Sequence, residues 1–154
     1  MRLIISLAVV LLLRVLFRTS NDMEAEFLKD TTDAQCNDGS SPLYYKRINR
    51  HSSEWLIFLE GGGFCYDHDS CLDRYALTPY YMTGKSDQVP LKVDYPGIFS
   101  IKCDTNPVFC KYNVFILHYC SSDEWSGNKE HIPSESDPDI FRFHGQNILK
   151  GMIK

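Results

Sequence analysis

Apolar positions along this chain gather into short blocks separated by polar, glycine- and proline-bearing segments. Trp55-Leu-Ile-Phe-Leu59 and Asn113-Val-Phe-Ile-Leu-His-Tyr-Cys120 carry almost no charge, the pattern of strands buried within a parallel sheet. Leu43 to Ile48 reads as a further strand, entered from the turn Cys36-Asn-Asp-Gly-Ser-Ser-Pro42. The polar stretch Asn49 to Ser53 then joins it to Trp55–Leu59, so these two strands are expected to form a hairpin leading into a larger sheet. Residues 21–35 are polar and acidic and are expected to form a loosely held lead-in. Ser70-Cys-Leu-Asp73 resembles a capping box, opening a short helix whose apolar stripe is Leu72, Tyr75 and Ala76. Thr83 to Pro96 and Glu124 to Asp137 read as loops. From Asp139 to Lys154, Phe141, Gly145, Ile148, Leu149, Met152 and Ile153 recur at helical spacing, and the periodic pattern continues to the last residue. Strand, loop, helix, strand, loop, helix predicts an α/β fold with a central parallel sheet and flanking helices, and a strand as the next element.

The first residues add a targeting segment. Arg2 precedes an essentially apolar run from Leu3 to Leu13, Arg14 interrupts it, and Arg18 closes a second apolar patch. The run is too short to span a bilayer, so residues 1–20 are expected to be a cleaved signal peptide and the protein to be secreted, with no stable membrane span. The remainder is long enough for one modest domain, covering residues 36–154. Aromatic residues make up 13% of the 154 positions, too many for a disordered tail. A net charge of -4 with scattered basic residues excludes a nucleic-acid partner, whose phosphates require a clustered basic face.

Six cysteines follow the targeting segment. In a secreted chain an even number points to disulfides, and the absence of a Cys-x-x-Cys spacing speaks against zinc. Cys65 with Cys71 and Cys103 with Cys110 close short loops at little entropic cost. Cys36 with Cys120 would then join the domain's entry to a distant strand end.

Chemistry concentrates at the ends of the two apolar strands. Gly61-Gly62-Gly63 follows the first, and glycines there let backbone N–H groups approach a developing oxyanion without side-chain obstruction. Phe64 comes next. Cys120-Ser-Ser-Asp-Glu-Trp-Ser-Gly127 follows the second strand, where open α/β sheets place ligand-facing loops. Phe64, Ser121, Ser122, Asp123 and Trp125 are the candidate pocket-lining residues. Taken singly, the serines and the aspartate fit equally well as a loop that satisfies its own backbone. Asp67-His68-Asp69 with Asp73 reads as a solvated loop, so no metal and no cofactor are expected. Gly84-Lys85-Ser86 lacks the first glycine of a phosphate-binding loop, Pro79 standing in its place. His118 and His144 fit the core or a helix cap. No Gly-x-Ser-x-Gly and no Asn-x-Ser/Thr occurs in the 154 residues.

The pieces Cys36-Asn-Asp-Gly-Ser, Tyr44-Tyr45, Trp55 to Cys65, Cys71 with Arg74-Tyr75, Asn113-Val-Phe-Ile, Tyr119 to Gly127 and Phe143-His-Gly-Gln-Asn-Ile148 resemble, in that order, the pectin acetylesterase/Notum family of secreted α/β-hydrolases. The Cys-Ser-Ser-Asp-x-Trp-Ser-Gly run is similar to the Notum branch, and the three glycines to the plant branch. Notum-like members have a tryptophan at the position matched by Gly63, and its side chain helps shape their acyl pocket. The resemblance implies an α/β-hydrolase-like sheet, incomplete in this chain and stapled by disulfides Cys36–Cys120 and Cys65–Cys71, with Cys103–Cys110 as an addition. It implies oxyanion donors at the N–H groups of Gly62 and Gly63, and a nucleophile in a Gly-x-Ser-Ala-Gly-Gly motif, with Asp and His later, all expected beyond Lys154. The implied activity is a serine carboxylesterase acting on an acyl-ester substrate, either a lipidated protein or an acetylated polysaccharide. These residues alone are expected to be inactive. A secreted protein that binds a lipid or glycan without hydrolysing it is the alternative.

Overall fold

The computed structural model describes residues 21–29, 32–130 and 141–153. The expected signal peptide and the first residues of the expected terminal helix, 139–140, lie outside that range. A five-stranded mixed sheet organises the chain, in the order β3, β5, β2, β1, β4. The strands are β1 (Met23–Phe27), β2 (Leu43–Arg47), β3 (Trp55–Leu59), β4 (Lys92–Val93) and β5 (Asn113–Leu117). Only β3 and β5 run parallel, with Ile57 opposite Phe115; the other pairs are antiparallel. Helix α1 (His68–Leu77) lies between β3 and β4, and α2 (Gly145–Ile153) follows a small antiparallel pair, β6 (Lys129–Glu130) with β7 (Arg142–Phe143).

Residues 21–35 are not a loose lead-in. Met23-Glu-Ala-Glu-Phe27 alternates, so Met23 is buried and Ala25 packs against the core while the glutamates line the other face. Glu26 takes the Lys46 ammonium at 2.7 Å and the Tyr44 hydroxyl at 3.0 Å across the β1–β2 pair. Alternation within a half-buried strand outweighs the segment's acidic average.

The expected hairpin is also absent, because β5 inserts between β2 and β3. Asn113, at the start of β5, explains the crossing. Its side-chain amide donates to the carbonyls of Ser52 and Glu54, and its oxygen accepts from Asn49 N–H at 2.8 Å. The connection therefore arcs over the end of β5 and sets β3 down on its far side. As a result β5 is paired along both edges, whereas β3, among the described residues, is an edge strand: Trp55 and Ile57 are about half exposed. The apolar run was expected to be buried; among the described residues it is paired on one side only.

Two cores sandwich the sheet. On one face Met23, Leu43, Tyr45, Val114 and Ile116 pack with Val89, Tyr80, Tyr95 and Phe99 from the segment between α1 and β5. On the other, Leu117, Cys36 and Cys120 pack beneath Ile148 and Met152 of α2. Each fully buried aliphatic side chain contributes on the order of 1.5–3 kcal/mol.

Helix α1 starts earlier than the expected box. Asp67 is its N-cap, accepting from Ser70 N–H at 2.9 Å, while Ser70 Oγ accepts from Asp67 N–H. Cys71 is the buried position; of the expected stripe, Leu72 and Ala76 are exposed and Tyr75 is half-buried against the core of Cys65, Cys71 and Met82. Helix α2 begins at Gly145 rather than 139, because residues 142–143 are committed to pairing with β6, and Phe141 belongs to the small core of Cys65, Cys71 and Met82. Within the stretch expected to be loop from Thr83, Lys92–Val93 adds an edge strand. Disulfides link Cys36 with Cys120, Cys65 with Cys71 and Cys103 with Cys110. Such bonds fit an oxidising, extracellular setting. Among the described residues no helix is long and apolar enough to cross a membrane.

Candidate functional site

Because β3 and β5 are parallel neighbours, their carboxyl ends open side by side, and the segments after them form adjacent loops. Glu60 N–H bonds to Leu117 carbonyl at 3.1 Å, carrying the ladder one residue beyond the strands. The Glu60 side chain then turns inward. Its carboxylate receives His118 Nδ1 at 2.8 Å and Tyr119 N–H at 3.3 Å on one oxygen, and the Tyr95 hydroxyl at 2.8 Å on the other. Nε2 of the buried His118 faces Thr83 carbonyl at 3.1 Å. A buried carboxylate with this many donors is satisfied rather than reactive. Burial, then a hydrogen bond with Tyr80 and the charge of Glu60, pushes the Tyr95 hydroxyl far above its ordinary range, so it stays a donor.

The glycines leave this anchor. A Cβ on Gly62 would lie 2.6 Å from a ring carbon of Tyr81, and Gly63 has φ +85°, a conformation that L side chains rarely adopt. Trp125 Nε1 donates to Glu60 carbonyl at 2.9 Å, and the Tyr119 hydroxyl donates to Gly63 carbonyl at 2.9 Å. Among the described residues no hydrogen bond reaches the N–H of Gly62 or of Gly63.

The loop after β5 is held by its own polar groups. Asp123 accepts from Ser121 Oγ at 2.6 Å, from Trp125 N–H at 3.1 Å and from Gly145 N–H at 2.7 Å, so it also caps α2. Ser122, Glu124 and Trp125 have φ of 50°, 54° and 64°, costing on the order of 1–3 kcal/mol each. Ser122 Oγ donates to Asn37 Oδ1 at 2.7 Å and accepts from Arg74 Nε at 2.9 Å. The Arg74 guanidinium lies 5.9 Å from the centre of the Tyr81 ring, behind the glycines.

Between the two loops lies a cleft of about 510 Å3, lined by Phe64, Tyr66, Ser122, Asp123, Lys129 and Phe143 among others. Of the residues expected to line a pocket, Phe64, Ser122 and Asp123 do so. Ser121 is fully buried, with its carbonyl accepting from Asn37 Nδ2, and neither it nor Trp125 lines the cleft: the Ser121 hydroxyl is spent on the Asp123 carboxylate and the Trp125 indole on Glu60 carbonyl. A larger cleft of about 600 Å3 lies between α2 and β1, away from the glycines. Its Lys150 bonds Gln146, and its Asn147 bonds Asp33 carbonyl and Asn128.

The other candidates sit elsewhere. Asp67 caps α1; the side-chain and backbone hydrogen bonds of Ser70 hold its carboxyl below the ordinary range. Among the described residues no three His, Cys, Asp or Glu side chains converge as metal ligands. His118 is core, and His144 Nδ1 accepts from Gln35 N–H at 3.3 Å just before α2. Glu60, Tyr119 and Arg74 lie in pieces that carry the family resemblance but were not among the site residues expected from sequence. Glu60 was the legible one: a lone carboxylate between an uncharged strand and three glycines requires a buried partner.

A mixed sheet flanked by helices, with a glycine turn and a polar loop at the carboxyl ends of adjacent parallel strands, defines an α/β-hydrolase type of protein. A profile of the pectinacetylesterase family matches residues 16–154, and the chain belongs to that family. It is similar to the palmitoleoyl-protein carboxylesterase notum2 of Xenopus laevis, 36% identical over 137 residues, covering 89% of this chain and 26% of the relative. The human palmitoleoyl-protein carboxylesterase NOTUM is 33% identical over 135 residues, covering 88% of this chain and 26% of the relative. The solved structure of the Drosophila Wnt deacylase Notum superposes with a TM-score of 0.77 at 34% identity, over 86% of this chain and 37% of that one. The chain thus spans about a quarter of the length of these curated relatives.

Proposed function

We propose that this chain is the oxyanion-bearing portion of a secreted carboxylesterase. Gly62 and Gly63 N–H would bind the tetrahedral oxyanion formed when a serine attacks an acyl ester. The observation that carries this reading is the pair of N–H groups without hydrogen-bond partners on a turn that the rest of the site holds in place. The cleft beside it, walled by Phe64, Tyr66 and Phe143, offers apolar surface to an acyl group. Relatives named for palmitoleoyl-protein esters favour an acylated protein as substrate over an acetylated polysaccharide. The serine, with its base, must come from outside these 154 residues, which carry no Gly-x-Ser-x-Gly; alone they should turn over no ester.

The test uses an acyl-ester assay on two proteins: the 154-residue chain, and the product of its native transcript read past Lys154. The chain is expected to be silent. In an active longer product, Gly62→Pro, which deletes one N–H, should lower kcat by about 10²–10³-fold, while Gly61→Ala, whose Cβ meets open space, should leave it near wild type. Turnover by the 154-residue chain that survives Gly62→Pro would sink both the site and the incompleteness.

A further inference from the structure

A turn of three glycines has no side chains with which to hold itself, and glycine is the least restrained residue on the backbone. Its two ends are nevertheless fixed. Trp125 Nε1 holds the carbonyl of Glu60, the residue before the first glycine, and the Tyr119 hydroxyl holds the carbonyl of Gly63, the last. In a trans peptide the C=O and N–H point in opposite directions. Holding Glu60 carbonyl therefore aims Gly61 N–H away from Trp125, and holding Gly63 carbonyl aims Phe64 N–H away from Tyr119. The peptide planes between these fixed ends carry the N–H groups of Gly62 and Gly63.

The two aromatic residues are themselves linked. Their ring centres are 5.4 Å apart, and Glu124 N–H donates to the Tyr119 hydroxyl at 2.7 Å, which orients that hydroxyl to donate onward to Gly63. Glu124 and Trp125 both have left-handed backbone. Asp123 maintains that conformation by accepting from Trp125 N–H, Ser121 Oγ and Gly145 N–H. Strain in the loop after β5 is thus spent on aiming one indole N–H and one hydroxyl at the glycine turn.

We propose that Tyr119 and Trp125 are positioning residues, a two-point clamp that fixes the peptide planes of the glycine turn from its ends and leaves the inner N–H groups pointing free. The proposal rests on the reading of Gly62 and Gly63 as oxyanion donors for its purpose, but not for its geometry. It assigns Trp125 to holding the turn, in place of lining the pocket.

The test is 15N relaxation on the 154-residue chain, comparing wild type with Tyr119→Phe, Trp125→Phe and the double variant. Tyr119→Phe removes the hydroxyl, and with it the acceptor of Glu124 N–H, while Trp125→Phe keeps one aromatic ring and loses the indole's N–H-bearing ring, so the unchanged core positions serve as the control for lost packing. The clamp predicts that order parameters of Gly62 and Gly63 fall from about 0.85 to below about 0.6 in the double variant, and partway in each single one, with Val114 and Ile116 staying at about 0.85. Unchanged values at Gly62 and Gly63 overturn the proposal. So does a drop shared by Val114 and Ile116, since the groups would then be serving the whole core. The readout is blind to ester chemistry: the Gly62→Pro assay decides the oxyanion reading, so either can fail while the other stands.

Discussion

The loops that follow β3 and β5 leave the sheet side by side and are built on opposite principles. The glycine turn exposes backbone, carries no side chain between Glu60 and Phe64, and holds its shape through groups that belong to its neighbour. The loop from Cys120 to Gly127 is dense with internal bonds, most of them on Asp123, and accepts three left-handed non-glycine residues. A segment that must present bare N–H groups cannot use those groups to stabilise itself. The difference fits the proposed division of labour, with strain and hydrogen bonds concentrated in one loop and the other left open.

Each loop is also stapled by a disulfide, and the staples differ in reach. Cys120 opens the polar loop and is tied to Cys36 across a separation of 84 residues, whereas Cys65 closes the glycine loop and is tied to Cys71 across 6. Chain-entropy reasoning gives about 4–5 kcal/mol for the long closure and about 2–3 kcal/mol for the short one. Replacing Cys36 and Cys120 by alanine should therefore cost the most of any change here, and clearly more than replacing Cys65 and Cys71. Urea unfolding of the two double variants measures the difference; equal losses would mean that the loops do not differ in what anchors them.

Within the loops the contrast sharpens. Asp123→Ala removes the acceptor of three donors, leaves buried Ser121 Oγ unpaired and uncaps α2, for an expected loss of about 3 kcal/mol. Gly61→Ala, one loop away, puts a methyl into open space and should change stability by no more than about 0.5 kcal/mol. Thermal or urea denaturation of the pair decides whether the polar loop is the structural half.

How much of this could be read from the sequence follows from the range of the forces involved. The glycine turn after Trp55–Leu59, the polar loop after the second apolar strand and their common end of the sheet were legible, because strand patterning and glycine act locally. Strand order was not. Nothing within residues 43–59 reveals that Asn113 draws the connection across β5, a contact made across more than half of the domain's length. Strand β1 was hidden because its alternation is carried by only five residues inside an acidic stretch. Trp125 was read as a pocket wall because sequence places a residue near a site without saying which way its ring faces. That direction comes from a left-handed backbone set by Asp123, and it depends on the fold being complete around it.

The last expected effect is one of acid. Asp38 lies two residues after Cys36, at the far anchor of the polar loop, and its carboxylate accepts from Ser40 N–H at 3.0 Å and Thr83 Oγ1 at 2.8 Å and pairs with Lys85 at 3.0 Å. Burial pushes its carboxyl up, but the hydrogen bonds from Ser40 and Thr83 and the Lys85 ammonium outweigh burial and hold it below its ordinary range. A carboxyl lowered by folding adds stability that is present above the unfolded value, about 3.9, and is lost as pH falls through the lower folded value. Asp38→Asn should therefore be less stable than wild type by about 1 kcal/mol at neutral pH, and the gap should narrow as pH falls from about 5 to 2. Denaturant titrations of both proteins across that range provide the measurement. The glycine turn, with no titrating side chain between Gly61 and Phe64, offers acid no such handle, so the polar anchor should loosen first. A gap that stays constant across the range would remove the ionised Asp38 from what holds the polar loop in place.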